Sequence, residues 1–254
     1  MLQFTDTQLL GWITAWFWPF CRIAALFAAA PIFQDRGIPQ PAKIGLAALI
    51  AALVSPQINV SPTLVIFSWD GMLLLSQQLI IGTAIGFTMR LAFAATELAG
   101  NLVGTQMGLG FAMFFDPEHN AQTPIVGSLL GYLALLIFLS MNGHLIMIAA
   151  VTESFHTLPI SVDTKLALGW YTLALQGGTI LSSGFHLALP VLSTLLLTNV
   201  ALGVLTRAAP QLNVFSIGFP LTLLIGIGAL TLAIPYMGPL MERYLMDSIQ
   251  HLGH

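Results

Sequence analysis

Six stretches of the sequence carry no Asp, Glu, Lys or Arg: 44–69, 71–89, 98–115, 119–152, 166–206 and 208–241. An apolar run of about 20 residues is long enough to cross the hydrocarbon core of a bilayer as a helix. Barrel strands would instead alternate over segments of about 10 residues. With 57% hydrophobic and only 7% charged residues, the chain has too little polar surface to cover a water-soluble globule, which would be roughly a quarter charged. The reading is an all-α integral membrane protein.

The net charge of −3 is too small to call for nucleic acid or an acidic partner. A single cysteine, Cys21, excludes an intrachain disulfide and a cysteine-rich metal site; it reads as a small core residue. No Lys or Arg precedes Arg22, so the start lacks the basic region of a cleavable signal peptide. The first apolar segment is expected to stay in the mature protein.

Breaks at charges and Pro/Gly clusters predict apolar segments at 8–33, 42–67, 71–110, 123–151, 166–206 and 212–235. PIFQDRGIPQP at 31–41 is a polar break, and SPQINVSP at 55–62 interrupts the second segment. The 71–110 and 166–206 runs are each about twice a single span, so each is either a hairpin or one helix running well past the hydrocarbon. The seven cations are spread evenly, and the positive-inside rule assigns no orientation.

Small residues recur at helical spacing in Gly82/Gly86, Gly100/Gly104/Gly108 and Gly127/Gly131. Such pairs let helix backbones approach closely in an apolar medium, either within the chain or against other subunits. The sequence has no HExxH, GxSxG, Walker loop or Cys/His ligand set, so no enzyme, metal or cofactor is expected. His144 and His186 lie in apolar surroundings and read as packing residues.

Ionisable groups inside apolar runs are more informative, because a charge at that depth needs a partner or water. Arg90 and Glu97 share a helix face but lie about 10 Å apart along the axis. Glu97, Asn101, Gly104 and Gly108 form one polar, small-residue stripe. It lines a proton or ion path if the protein is a small-solute transporter. Otherwise Glu97 meets a cation of a neighbouring helix or subunit. Arg207 precedes the helix-breaking Pro210, where it would bond freed carbonyls or pair with an acid.

GLGFAMFFDPEHNAQTP at 108–124 joins Phe111, Met113, Phe114 and Phe115 directly to Asp116 and Pro117. Its Gly and Pro residues discourage a continuous helix. Irregular backbone at membrane depth is tolerated only inside protein or along a cavity. The loop is therefore a constriction in a protein-walled pore, or an interfacial loop whose rings dip into headgroups.

Three stretches together carry a resemblance: RIAALFAAAPIFQDRGIPQPAKIGLA (22–47), ELAGNLVGTQMGLGFAMFFDP (97–117) and LPVLSTLLLTNVALGVLTRAAPQLNVFSIGFPL (189–221). The most specific part is Arg207, Pro210, Gln211, Asn213, Phe215, Gly218, Phe219 and Pro220. The chain resembles, over nearly its whole length, the FliR family of export-gate membrane proteins in bacterial flagellar type III secretion, and is similar to the homologous subunit of virulence injectisomes. The resemblance implies helical hairpins packed with FliP and FliQ subunits in a helical export gate in the inner membrane and flagellar basal body. FlhB is an associated partner, and secreted unfolded flagellar proteins pass through the centre, driven by a separate ATPase and the proton-motive force. It implies one export-gate domain over 1–254, FliP-like to about residue 163 and a FliQ-like hairpin from about 164. It also implies that apolar helices are covered by other subunits and lifted out of the bilayer, so that Arg90, Glu97 and Arg207 become buried charges at subunit contacts. Finally, it implies that the loop near 106–122 plugs the pore, with Met107, Phe111, Met113, Phe114 and Phe115 sealing it and Asp116 and Pro117 turning it.

Overall fold

A computed structural model describes residues 6–34, 37–58, 68–111, 124–161, 169–209 and 214–250. Every regular element among them is helical, so the chain is all-α. The helices are α1 (Asp6–Ala29), α2 (Gln40–Val54), α3 (Trp69–Gln106), α4 (Ile125–Ser140), α5 (Gly143–Thr157), α6 (Gly169–Ala208) and α7 (Val214–Gln250), with short 3-10 turns at Pro31–Gln34, Ser55–Gln57 and Leu109–Phe111.

Local chemistry explains the breaks. Pro31 cannot donate to the ladder of α1, and Gln34 folds back so that its Nε2 donates to the Ala28 and Ala29 carbonyls at 3.0 and 3.4 Å. The SPQ of the expected second interruption forms the turn that ends α2. The expected 123–151 segment is in fact two helices. Asn142 between them has φ 56°, a left-handed conformation that Asn tolerates better than most residues, and Gly143 starts the next helix.

The two double-length runs are each one helix. At 1.5 Å per residue, the 38 residues of α3 reach about 57 Å, the 40 of α6 about 60 Å and the 37 of α7 about 56 Å. The hydrocarbon core is only about 30 Å thick. Among the described residues, four helices are long and apolar enough to span a membrane, five if α4 and α5 are taken as one broken span. The internal prolines of α6 and α7 (Pro190, Pro220, Pro235 and Pro239) are tolerated in such a medium where neighbours satisfy the freed carbonyls.

Contacts divide the chain into two compact units, one of Met1–Arg90, Asn142–Gln176 and Asp247–His254, the other of Leu91–Met141 and Gly177–Met246. In the first, α1 crosses the start of α3 at Gly82 and Gly86. A Cβ on Gly82 would run into the Arg22 carbonyl oxygen, and one on Gly86 would lie 2.7 Å from Ala29 Cβ and 2.8 Å from the Leu26 oxygen. Trp16 Nε1 donates to the Ala48 carbonyl at 3.1 Å and ties α1 to α2.

In the second unit, the end of α3 and α4 pack antiparallel. Gly100 meets the Gly127 backbone, Gly104 meets Val126, and Gly131 meets the Glu97 side chain. The core around this crossing includes Val103, Met107, Leu130, Leu187, Val191, Leu195, Leu230, Met237 and Met241. The closest contacts of these glycines lie within the chain.

Backbone-to-backbone approach this close has no room for a methyl group, and forced overpacking costs about 1–3 kcal/mol. Gly82→Ala, Gly86→Ala and Gly100→Ala should each lower the unfolding midpoint of the purified chain in detergent. Gly203→Ala, which meets nothing within 4 Å, should leave the midpoint unchanged or raise it slightly through helix propensity.

Candidate functional site

The loop expected to plug a pore leaves the second unit at the end of α3. The Met107 N–H still donates to the Val103 carbonyl at 2.9 Å, and Gly108 N–H donates to Thr105 at 3.0 Å. Gly108 then takes φ 85°, which is nearly free for glycine and strained for other residues. One 3-10 turn, Leu109–Phe111, follows. Met113, Phe114, Phe115, Asp116 and Pro117 lie outside the described residues, which resume at Pro124, the N-cap of α4.

Met107, grouped by resemblance with the sealing residues, is 2% exposed. Its side chain lies against Gly226 of α7, where a Cβ would stand 2.5 Å from Cγ and 3.0 Å from Sδ. Its carbonyl accepts from Thr222 Oγ1 at 3.4 Å. It is thus packed inside the unit, at the root of the loop. The described residues on either side of the loop, Leu109–Phe111 and Pro124, are both in regular structure.

Arg90, Glu97 and Arg207 are all exposed on this chain, so none is buried by the chain's own packing. Glu97 lies along the α3/α4 crossing, with its Cγ and Oε1 beside Gly131. The stripe-mate Asn101 is half-buried, and its Oδ1 presses on Gly127 without a hydrogen-bond donor among the described residues.

Among the described residues the fully buried charge is Arg22, a position that sequence reasoning did not single out. It sits on α1 in the first unit with none of its surface exposed. Nε donates to Gln78 Oε1 at 2.7 Å. Nη1 donates to the Ser154 carbonyl at 2.8 Å and to Ser154 Oγ at 3.0 Å, and Nη2 donates to the Leu158 carbonyl at 2.9 Å. The guanidinium carbon lies 4.2 Å from the centroid of the Phe155 ring, a cation–π contact. Ser154 and Leu158 are at the C-terminal end of α5, where unsatisfied carbonyls and the helix dipole favour a cation. Arg22 therefore caps α5 from another helix. Its place midway along the apolar span Gly11–Ala29 was the available signal.

Both features are held by packing and hydrogen bonds, and neither offers reactive chemistry. Among the described residues no group of three or more His, Cys, Asp or Glu side chains could hold a metal. The exposed faces can dock other helices. Large apolar side chains such as Leu181 (68%), Leu197 (70%), Leu224 (70%) and Leu232 (74%) stand bare on α6 and α7.

The sequence model of the family described as bacterial export proteins, family 1, matches residues 13–248. The flagellar biosynthetic protein FliR of Pectobacterium carotovorum subsp. carotovorum is 46% identical over 97% of this chain and 94% of its own length. The protein of that name from Escherichia coli (strain K12) is 43% identical over the same shares. That of Bacillus subtilis (strain 168) is 33% identical over 80% of this chain and 79% of its own length.

Removing the Arg22 guanidinium strands the Gln78 Oε1, worth about 1–3 kcal/mol when buried unmet, frees the part-buried Leu158 carbonyl, and leaves the Ser154 carbonyl only the Leu158 N–H. Arg22→Met should destabilise the purified chain by at least one such increment. Arg22→Lys, a point charge without the planar fork, should recover only part of the loss. Thermal unfolding in detergent reads both, and equal midpoints for Arg22→Met and the parent would remove the cap from the account.

Proposed function

The chain belongs to the bacterial export protein family 1, and on that premise we propose that it is a subunit of the flagellar type III protein export gate. In this reading it forms part of the wall of a channel for unfolded flagellar proteins, and its 111–117 loop closes that channel. The neighbours are FliP-type and FliQ-type chains, with FlhB associated, in the inner membrane at the flagellar basal body.

The observation that carries the reading is the mismatch between helix length and bilayer thickness. Three helices run about 56–60 Å, nearly twice the hydrocarbon core. Only 28% of the most apolar window in each of α6 and α7 is buried. Lipid covers about half of such a helix. The remaining apolar surface is larger than a lone water-exposed protein keeps bare, and other helices of the same apparatus would cover it. Arg90, Glu97 and Arg207, exposed on this chain, then find their partners on those neighbours.

The loop suits a reversible seal. Burying one Phe or Met side chain contributes about 1.5–3 kcal/mol, so a few of them hold a constriction against ions. The same contacts are non-directional and yield to a chain pushed through, and the flexible thioether of Met113 adapts to varied cargo. Asp116-Pro117 gives the abrupt polar turn that ends the apolar run.

In the assembled complex, deleting 110–118 should raise ion conductance across a reconstituted membrane while FliP-type and FliQ-type chains still co-purify. Unchanged conductance in an intact complex counts against the plug. A purified chain that is monomeric, stable and transports a solute alone would overturn the gate assignment as a whole.

A further inference from the structure

Within the first unit, α1 and α2 are closed on each other where Trp16 donates to the Ala48 carbonyl. Nearer the connection at residues 31–41 they part around an open groove of about 460 Å³. Its floor is small and apolar. Ala24 and Ala28 of α1 and Ala47 of α2 have too little side chain to fill the gap. Phe27, stacked on Phe33 with ring centroids 4.0 Å apart, walls one side. Polar lining is gathered at the end beside the connection, where Gln40 and Lys43 stand in the first turn of α2. Asp35 and Arg36 of the connection are opposite in sign, so the segment 31–47 stays net positive through Lys43.

We propose that this groove binds one anionic phospholipid, with its phosphodiester at Lys43 and Gln40 and an acyl chain laid along Ala24, Ala28 and Ala47. Size selects the occupant. A helix about 10 Å across fills roughly 400 Å³ for each 5.4 Å turn, so the groove holds about one turn and cannot seat a neighbouring helix along its length. Its volume is that of a small-molecule site, apolar with a few placed polar groups. Polarity selects it too, because the cationic end lies at the charged connection and the apolar floor leads toward the middle of α1. A lipid has the same order of parts. The ammonium of Lys43 has three N–H donors, so a contact within the chain leaves others for a phosphate. A zwitterionic headgroup would bring its own cation toward Lys43, which favours a lipid of net negative charge. The outer face of α2 is itself apolar, with Ile44, Leu49 and Leu53 all exposed, so hydrocarbon can reach the groove. The site lies wholly in the first unit and does not depend on the gate assignment.

The test is photo-crosslinking of the full chain, alone and in its assembled complex, in phosphatidylcholine vesicles. The probe is a trace of phosphatidylglycerol with a diazirine in its acyl chain, and labelled peptides are read by mass spectrometry. Label should concentrate on residues 24–47 in both samples. Ala28→Phe, which fills the trough from an exposed position, should abolish it. Ala52→Phe, exposed on α2 outside the groove, should match the parent. Lys43→Gln should lower the label about fivefold, the effect of one cation beside an anionic headgroup, and it decides the matter if Ala28→Phe fails to fold. A phosphatidylcholine probe should label the groove weakly in parent and Lys43→Gln alike. Equal labelling by the two probes, unchanged in Lys43→Gln, would mean ordinary boundary lipid and would overturn the site. Label present on the chain alone but absent in the complex would mean that another subunit fills the groove, which overturns the lipid and leaves the gate assignment standing.

Discussion

A guanidinium in an apolar helix bundle must give its N–H groups to acceptors or lose its burial, because its desolvation is otherwise uncompensated. Arg22 has no surface exposed, and its described partners are all neutral: an amide on α3, and a hydroxyl and two carbonyls at the end of α5. The requirement fixes more than one contact. Gln78, which receives Nε, stands one helical turn before Gly82, which has no Cβ and lies against Arg22's own carbonyl. Side chain and backbone of a single residue are thus read by two positions of one α3 face, so α1 cannot slide along α3 without breaking both. The carbonyls of α5 are then held by the same fork. A planar, multidentate donor suits this task; a single ammonium would not reach acceptors on two other helices at once.

The second unit solves the same problem of holding helices together in an apolar medium without a buried cation. Hydrophobic burial drives little association where the solvent is itself apolar. What remains is close van der Waals packing, available only where backbones can approach. Gly100 on Gly127 gives that approach, and the aliphatic seam from Val103 to Leu195 and Met241 fills the space around it. α3 carries both solutions along one helix, the Gly82/Gly86 pair in its first half and Gly100/Gly104 in its second.

Much of this was legible in the sequence, and the failures share a cause. Charge-free runs marked where the helices lie, and 71–110 and 166–206, open in sequence between a hairpin and one long helix, are single helices at 69–106 and 169–208. The break at Met141-Asn142 was missed because hydropathy stays high across it, although Asn-Gly is a turn signal in any medium. Arg22 was passed over because its acceptors lie 56 to 136 residues away and carry no charge. A search for pairs of opposite charge cannot find a cation satisfied by an amide and a helix end. Conversely Arg90, Glu97 and Arg207 drew attention as charges among apolar neighbours, yet they are exposed here. Periodicity along one helix does not say which face its own chain covers. The position of Met107 was similarly out of reach, because only the fold brings Gly226 to it.

These placements separate two uses of scarce polar residues. Arg22 is spent inside the chain, where it makes one unit rigid. Arg90, Glu97 and Arg207, and the leucine faces of α6 and α7, stand on the outside. A subunit that had to work alone in lipid would bring its charges inward and turn a uniform apolar surface out. A subunit built into a larger helical wall does the reverse with its outer faces, since neighbours supply both partners and cover. The loop after Met107 belongs to neither class. Its root, Met107, is packed like core, and beyond it the sequence sets Phe111, Met113, Phe114 and Phe115 directly before Asp116 and Pro117.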